Sequence, residues 1–336
     1  MKAAVFGCAG LQLSNEEIFF FTKHNPVGFI LFGRNIESPT QVGSLVKSLK
    51  SCVGHSVPLI MIDQEGGRVA RLRPPHWPEF PPAAHFGALY AKDNRAGEEA
   101  AMLNARLIAD ELYQLGINVD CAPVLDVFQE DAADIIGDRS YGANPSIVAC
   151  LGRKVCEGLL KGGVLPVVKH TPGHGRAHVD SHLELPVVNT PVDKLRQIDF
   201  AAFRHLADAP LAMTAHVIYS AIDAHNPATV SKAVITDIVR GDIGFDGLLM
   251  SDDLSMQALK GSMGKRTTDA ILSGCDVVLH CNGDKEEMTA VAEACPELSQ
   301  RSIDRMGKAL ARLNIPETLD KKKVMYKVRS MMEGSV

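Results

Sequence analysis

Pro58-Leu-Ile-Met-Ile-Asp63 compresses into six residues the unit that recurs along the whole chain: a short apolar run closed by an ionisable side chain. Such a run, bounded by turn residues, reads as a core strand. Seven more of the same kind follow or precede it, so the candidate strands are residues 3–8, 27–32, 58–62, 117–121, 165–168, 211–214, 247–250 and 276–279. Between them lie longer stretches with helical periodicity, at 15–22, 39–51, 96–115, 146–161, 192–206, 232–240, 265–273 and 299–313. Ser14, with Glu17 three residues on, reads as a capping box for the first helix. Strands alternating with helices indicate parallel β/α units, and eight strands is the number that closes a barrel. The expected fold is therefore α/β, a (β/α)₈ TIM-type barrel, with an open doubly wound sheet as the alternative.

The chain has 336 residues, 46% hydrophobic and 22% charged, which is ordinary for a globular protein with a large core. No repeat, low-complexity segment or linker divides it. Residues 1–336 are expected to form one catalytic barrel domain, with residues 315–336 as a C-terminal helical tail. That tail holds Lys321, Lys322 and Lys323, then Val324, Met325, Val328, Met331 and Met332 near helical spacing. A helix docked on its own barrel explains this pattern better than one lying on a membrane. With 35 basic and 40 acidic residues the formal charge is −5, which gives no footprint for nucleic acid. No apolar run approaches the roughly 18 residues needed to span a bilayer. A small neutral substrate or a peptide-bearing sugar fits this balance better than a polyanion, and a monomer is expected.

The start, Val5-Phe-Gly-Cys8, has something of a lipoprotein cleavage site, but too few apolar residues precede Cys8 for a secretory segment. The eight cysteines are scattered and form no Cys-x-x-Cys pair, which argues against zinc or redox chemistry. They are expected to be reduced thiols in the cytoplasm.

Three connections exceed what a barrel needs: 64–94, rich in proline around Trp77; 126–144; and 170–190. All follow strands, so in a barrel they share the C-terminal face, where active sites form. The polar residues at the strand ends are Asp63, Asp120 with Asp126, Lys169 with His170, His216, Asp252 with Asp253, and His280 with Asn282. Six consecutive strands would thus deliver ionisable groups to one face, and burying several charges together is costly without a task. Asp252, the first carboxylate past its apolar run, is expected in the barrel mouth, with Asp253 facing elsewhere to cap the next turn.

Lys169-His-Thr-Pro-Gly-His-Gly-Arg-Ala-His-Val-Asp-Ser-His182 carries histidines four apart. On a helix they would stack as a metal site, but Pro172, Gly173 and Gly175 deny the helix. No metal and no cofactor is expected, and a metal-dependent barrel hydrolase is kept as a competitor. The segment reads instead as a glycine-hinged loop bearing Asp180 and His182, since a nearby aspartate can orient an imidazole and stabilise its protonated form.

Ile62-Asp-Gln-Glu-Gly-Gly-Arg-Val69, Ala122-Pro-Val-Leu-Asp-Val127, Gly137-Asp-Arg-Ser-Tyr-Gly142, Lys169-His-Thr-Pro-Gly-His-Gly175, Asp180-Ser-His182 and Ser251-Asp-Asp-Leu254 occur in that order. Together they resemble the family 3 glycoside hydrolases, in particular the bacterial beta-N-acetylglucosaminidase branch of peptidoglycan recycling. The likeness runs from about Val27 to Asn282. It implies a retaining exo-enzyme in which Asp252 is the nucleophile, His182 the acid/base and Asp180 its partner. It also implies that Asp63, Arg71, Arg139, Lys169 and His170 hold the N-acetylglucosamine ring. Many relatives carry a second α/β domain, and none is expected in these 336 residues. Thr171 departs from the pattern, because phenylalanine is usual after Lys-His.

Retaining glycosidases generally use two carboxylates roughly 5 Å apart, so an Asp-supported histidine is a departure. A neutral imidazole would not repel an anion, which makes phosphorolysis an alternative to hydrolysis. The loop 171–189 is expected to be mobile without ligand, leaving His182 away from Asp252 until substrate closes it. His174 and His216 could support the site, His178 is expected to be solvated, and Cys121 has no clear part. A sugar-binding barrel without activity is a last competitor, against which the full Asp252, Asp180 and His182 set argues.

Overall fold

The structure is a computed structural model that describes residues 1–130, 135–179 and 184–333. Eight strands form the barrel: β1 (Lys2–Gly7), β2 (Pro26–Leu31), β3 (Leu59–Ile62), β4 (Val119–Asp120), β5 (Leu165–Thr171), β6 (Leu211–Thr214), β7 (Leu248–Asp253) and β8 (Val277–His280). They close in sequence order, β1 bonding both β2 and β8, and every neighbouring pair is parallel. The chain is therefore a closed (β/α)₈ barrel and not an open sheet. Its strands are almost wholly buried on both faces, as parallel strands covered by helices must be.

Strand lengths depart from expectation in a way that matters for the site. β5 and β7 each run three residues past their apolar stretch, because a ladder bonds through backbone regardless of side chain: Thr171 pairs with Thr214, and Asp253 with Leu279. Lys169, His170 and Asp252 thus sit on rigid strand ends. β4 is only two residues long. Beside it the Asn118 side chain bridges to the neighbouring strand, accepting from Ile60 N–H at 2.7 Å and donating to Pro58 O at 3.0 Å. Beyond it Pro123 has no N–H to donate.

Ser14 and Glu17 form the expected capping box. The helical stretch 192–206 is instead two short helices, Val192–Gln197 and Asp199–His205, broken at Ile198. Residues Val234–Asp242 form a π-helix. Two helices had no forecast in the sequence: Ala83–Lys92, inside the first long connection, and Lys285–Ala294, capped by Asp284. The C-terminal helix Lys321–Glu333 docks on Asn94–Gln114 through Lys321 to Asp110 (2.7 Å) and Glu111 (3.0 Å), with Val328 buried. No described helix is long and apolar enough to cross a membrane. All eight cysteines are unbridged, seven of them buried.

The two ends of the barrel differ in kind. At the N-terminal end of β8, Asp276 is saturated by Arg240 (2.7 Å), Arg305 (2.9 Å) and Ser302 (2.7 Å), a closed structural network. The C-terminal end is open.

Candidate active site

A cleft of about 150 Å³ opens at the C-terminal ends of the strands. Ile30, Phe32 and Met213 give its apolar wall, and Asp63, Glu65, Arg71, Arg139, Lys169, His170, His174 and Asp252 its polar one. A larger cleft, about 560 Å³, lies between the proline-rich segment and the C-terminal helix, but it gathers none of these groups. The smaller one is the candidate site because the chemistry converges there.

One wall is a network of five charges. Lys169, 2% exposed, donates to Asp63 at 2.9 Å and contacts Glu65 at 2.6 Å. Arg71 donates to the other oxygen of Asp63 at 2.9 Å, and Arg139 grips Glu65 with two bonds of 2.8 Å. Burial alone would raise both acids. Lys169 and Arg71 overcome it at Asp63 and hold that carboxyl well below the usual range, while Arg139 and Lys169 bring Glu65 down to about 2. The same contacts overcome burial at Lys169 and Arg139 and raise both cations. Asp63, Glu65, Lys169 and Arg139 are thus held in their charged forms. Arg71 also lies 5.1 Å from the centre of the Phe32 ring, which fixes its plane.

Asp63, just past β3, and Glu65, in the short strand Gln64–Gly66 that follows, lie on one extended stretch, where side chains alternate and positions two apart share a face. Gln64, between them, turns inward and bonds Arg71 N–H and Leu72 N–H at 2.9 Å, shaping the loop that delivers Arg71. Sequence reasoning missed Glu65, although this alternation from Asp63 is the signal that points to it.

His170 is oriented from behind. Its Nδ1 lies 2.7 Å from Asp126, a wholly buried carboxylate that also accepts from His174 N–H at 2.6 Å. Burial opposes ionisation of Asp126, but His170 and His174 outweigh it and lower the carboxyl. An ionised Asp126 accepts only, so His170 carries its proton on Nδ1 and turns Nε2 to the cleft. His174 packs edge-on against His170 at 5.7 Å, and burial pushes its ring down to about 4, so it is neutral.

Asp252 stands at the end of β7, accepting from Asp253 N–H at 2.8 Å. Asp253 also lines the cleft, contrary to the expectation that it faces elsewhere, but its carboxylate accepts from Ser255 N–H (3.0 Å), Ser255 Oγ (2.6 Å) and Cys281 N–H (3.1 Å), which is the turn-capping role expected of it. Beneath them His216 bridges Thr229 Oγ1 (2.7 Å) and Asp253 O (2.9 Å), and burial lowers its ring. It supports the end of β7 without lining the cleft.

Two other expected contributors, Asp120 and His280, also stay out of the cleft wall, as does Cys121, for which no part was expected. Asp120 is fully buried, accepts from Gln64 N–H at 3.0 Å, and is raised by burial. His280 pairs with Glu287 at 3.0 Å, and Cys121 is buried and raised. His178 is exposed. Thr171 is buried, its carbonyl bonded to Ala215 N–H at 2.8 Å. Asp180 and His182, and with them the centre of the loop expected to move, lie outside the described residues. Among the described residues no group of three or more His, Cys, Asp or Glu side chains is placed to hold a metal ion.

Residues 8–314 match the N-terminal domain of glycosyl hydrolase family 3. The chain is 33% identical over 334 residues to a beta-hexosaminidase of Aromatoleum aromaticum, covering 98% of this chain and 93% of the relative. It superposes on NagZ from Neisseria gonorrhoeae, solved in complex with N-trifluoroacetyl-D-glucosamine, with a TM-score of 0.87, 31% identity and 98% of both chains covered. A family 3 beta-N-acetylglucosaminidase from Paenibacillus gives a TM-score of 0.88 at 30% identity, over 98% of this chain and 67% of that one.

Proposed function

Because the chain belongs to glycosyl hydrolase family 3, and is a glycoside hydrolase, we propose that it is a retaining exo-beta-N-acetylglucosaminidase acting through a covalent intermediate on Asp252. The observation that carries this reading is the division of labour among the cleft carboxylates. Asp63 and Glu65 are held ionised by cations and have no proton to give near neutral pH. Asp253 is saturated by its turn. Asp252 faces the cleft from β7 and is the carboxylate suited to attack.

In the first step an Asp252 oxygen bonds to the anomeric carbon as the bond from that carbon to the leaving oxygen breaks. The leaving oxygen needs a proton, and no cleft carboxylate among the described residues can supply one. His182, partnered by Asp180, supplies it in this reading. In the second step His182 takes a proton from water, whose oxygen attacks the anomeric carbon and releases Asp252. Two inversions return the β-configuration. The Asp63, Arg71, Lys169, Glu65 and Arg139 network would bind sugar hydroxyls through rigid charged donors and acceptors, with His170 Nε2 beside it.

The natural substrate in this reading is a peptidoglycan fragment, N-acetylglucosamine β-1,4-linked to an anhydro-muramyl peptide, cleaved in the cytoplasm. The family branch that the motifs resemble supports it. The test is to incubate the protein with that fragment, with and without phosphate, and to follow the first-formed anomer by proton NMR. Release of β-N-acetylglucosamine in both conditions supports the reading. An α-anomer formed first would refute retention, and an N-acetylglucosamine 1-phosphate would establish phosphorolysis instead.

A further inference from the structure

Of the three cations in the charged wall, Arg71 is held by the fewest hydrogen bonds. Its guanidinium donates once, from Nη2 to Asp63, and its Nε is buried without a partner among the described residues. A guanidinium carries five N–H donors in a rigid plane, and one bond does not fix that plane. What remains to fix it is the Phe32 ring, whose centre lies 5.1 Å from Arg71 Cζ. The same ring has a second cation beside it, because Arg34 Cζ also lies 5.1 Å from its centre.

Arg34 is anchored where the barrel closes. Its Nε donates to Cys8 O at 2.9 Å and its Nη2 to Cys281 O, each one residue past the end of its strand, β1 or β8. A methyl group on Gly7 would overlap both Cys281 O and Arg34 Nη2, so the glycine that ends β1 makes room for the guanidinium. Asn35, fully buried, fixes the backbone on either side: its Oδ1 accepts from Phe32 N–H at 2.9 Å, and its Nδ2 donates to Gly10 O at 2.9 Å. Two like charges at one ring repel, and here each is compensated, Arg71 by the Asp63 carboxylate and Arg34 by two carbonyls. Stapling the strand ends accounts for Arg34 and Asn35. It does not account for an aromatic ring at Phe32, which lines the cleft between the two guanidinium groups and the apolar wall.

We propose that Phe32 and Arg34 are positioning residues for sugar binding: Arg34 holds the Phe32 ring, and the ring holds the Arg71 guanidinium in the plane that meets a sugar hydroxyl. The inference rests on the reading of Arg71 as a residue that binds the sugar. It concerns the grip on a part of the sugar that does not react, so its signature is in KM rather than kcat. That signature vanishes once Arg71 is removed.

The test measures kcat and KM on an aryl beta-N-acetylglucosaminide for the full chain. Wild type is compared with Phe32→Leu, Phe32→Tyr, Arg34→Met and Arg71→Met, and with Phe32→Leu and Arg34→Met each combined with Arg71→Met. Arg71→Met should lower kcat/KM by roughly 10- to 100-fold, the worth of a hydrogen bond from a charged donor. Phe32→Leu keeps apolar bulk but removes the π face, and should raise KM about tenfold with kcat changed by less than about twofold. Phe32→Tyr should stay within about twofold of the wild-type KM, and Arg34→Met should raise it about threefold. Either change added to Arg71→Met should cost nothing more, because it acts through a guanidinium already removed. Losses that multiply in the combined variants, a fall in kcat at unchanged KM, or an unaltered KM in Phe32→Leu overturn the inference. The cycle through Arg34 decides it if Phe32→Leu does not fold, because Arg34 is exposed. If Arg71→Met itself loses nothing, the reading of Arg71 as a sugar-binding residue falls first and the inference with it, so the two failures are distinguishable.

Discussion

Replacing Glu65 by glutamine removes one charge from the five-membered wall and should make the enzyme's stability respond to acid in a calculable way. The Glu65 carboxyl sits at about 2 in the folded protein against 4.5 as the ordinary value. A depressed carboxyl contributes stability that is complete above the ordinary value and fades as pH falls through the folded one. At pH 7 that contribution is about 3 kcal/mol, and at pH 3 about 1.4 kcal/mol remains. The raised cations, Arg139 and Lys169, report the same contacts from the other side, so the energy is counted once. Urea unfolding followed by the fluorescence of Trp77, the single and buried tryptophan, measures it. Glu65→Gln should be less stable than wild type by about 3 kcal/mol at pH 7, with the gap shrinking by about 2 kcal/mol by pH 3. Other acids titrate in both proteins and cancel in the difference. A gap that stays constant, or widens in acid, would show that Glu65 is not held ionised by its neighbours.

Asp126→Asn should lower kcat/KM by roughly 10- to 100-fold, the worth of a buried charge-assisted hydrogen bond, because His170 loses the carboxylate that fixes its proton on Nδ1. Steady-state rates on an aryl beta-N-acetylglucosaminide check this, and unchanged kinetics would remove Asp126 from the site. Gly175→Ala should cost about tenfold or more in rate at unchanged circular dichroism, because the added methyl overlaps Val127 O and displaces the loop root. Native protein should react rapidly with a thiol reagent at no more than one cysteine, Cys150, the one that is not buried. In urea all eight should react, and several fast thiols in the native state would contradict the buried, raised set.

The barrel was legible because eight apolar runs recur with helices between them, and that pattern survives errors of several residues at either end. The strand ends were harder to read. Hydropathy stops at Val168 and Met250, whereas the hydrogen-bonded ladder continues through Lys169-His170-Thr171 and Ser251-Asp252-Asp253. A list of polar strand ends also does not say which side of the strand each occupies. Asp63 and Lys169 face the cleft, while Asp120, His216 and His280 lie behind it, bonding backbone or neighbouring helices. Glu65 and Asp126 take their roles from partners distant in sequence, Arg139 and His170, so the alternation that sets Glu65 beside Asp63 and the strand-end position of Asp126 do not by themselves reveal the pairing. The helix at 192–206 failed for a related reason: its apolar spacing runs through Ile198, but the second piece begins at Asp199, which is drawn inward by Arg176.

The central claim is that Asp252 becomes covalently bound to the sugar. A 5-fluoro N-acetylglucosaminyl fluoride slows the second step more than the first and should accumulate the intermediate, which mass spectrometry of the intact protein and its peptic peptides can locate. The account predicts one added glycosyl mass on the peptide containing Asp252, absent from Asp252→Ala. A label on another carboxylate, or rapid turnover with none on the protein because the acetamido group attacks in its place, would contradict it.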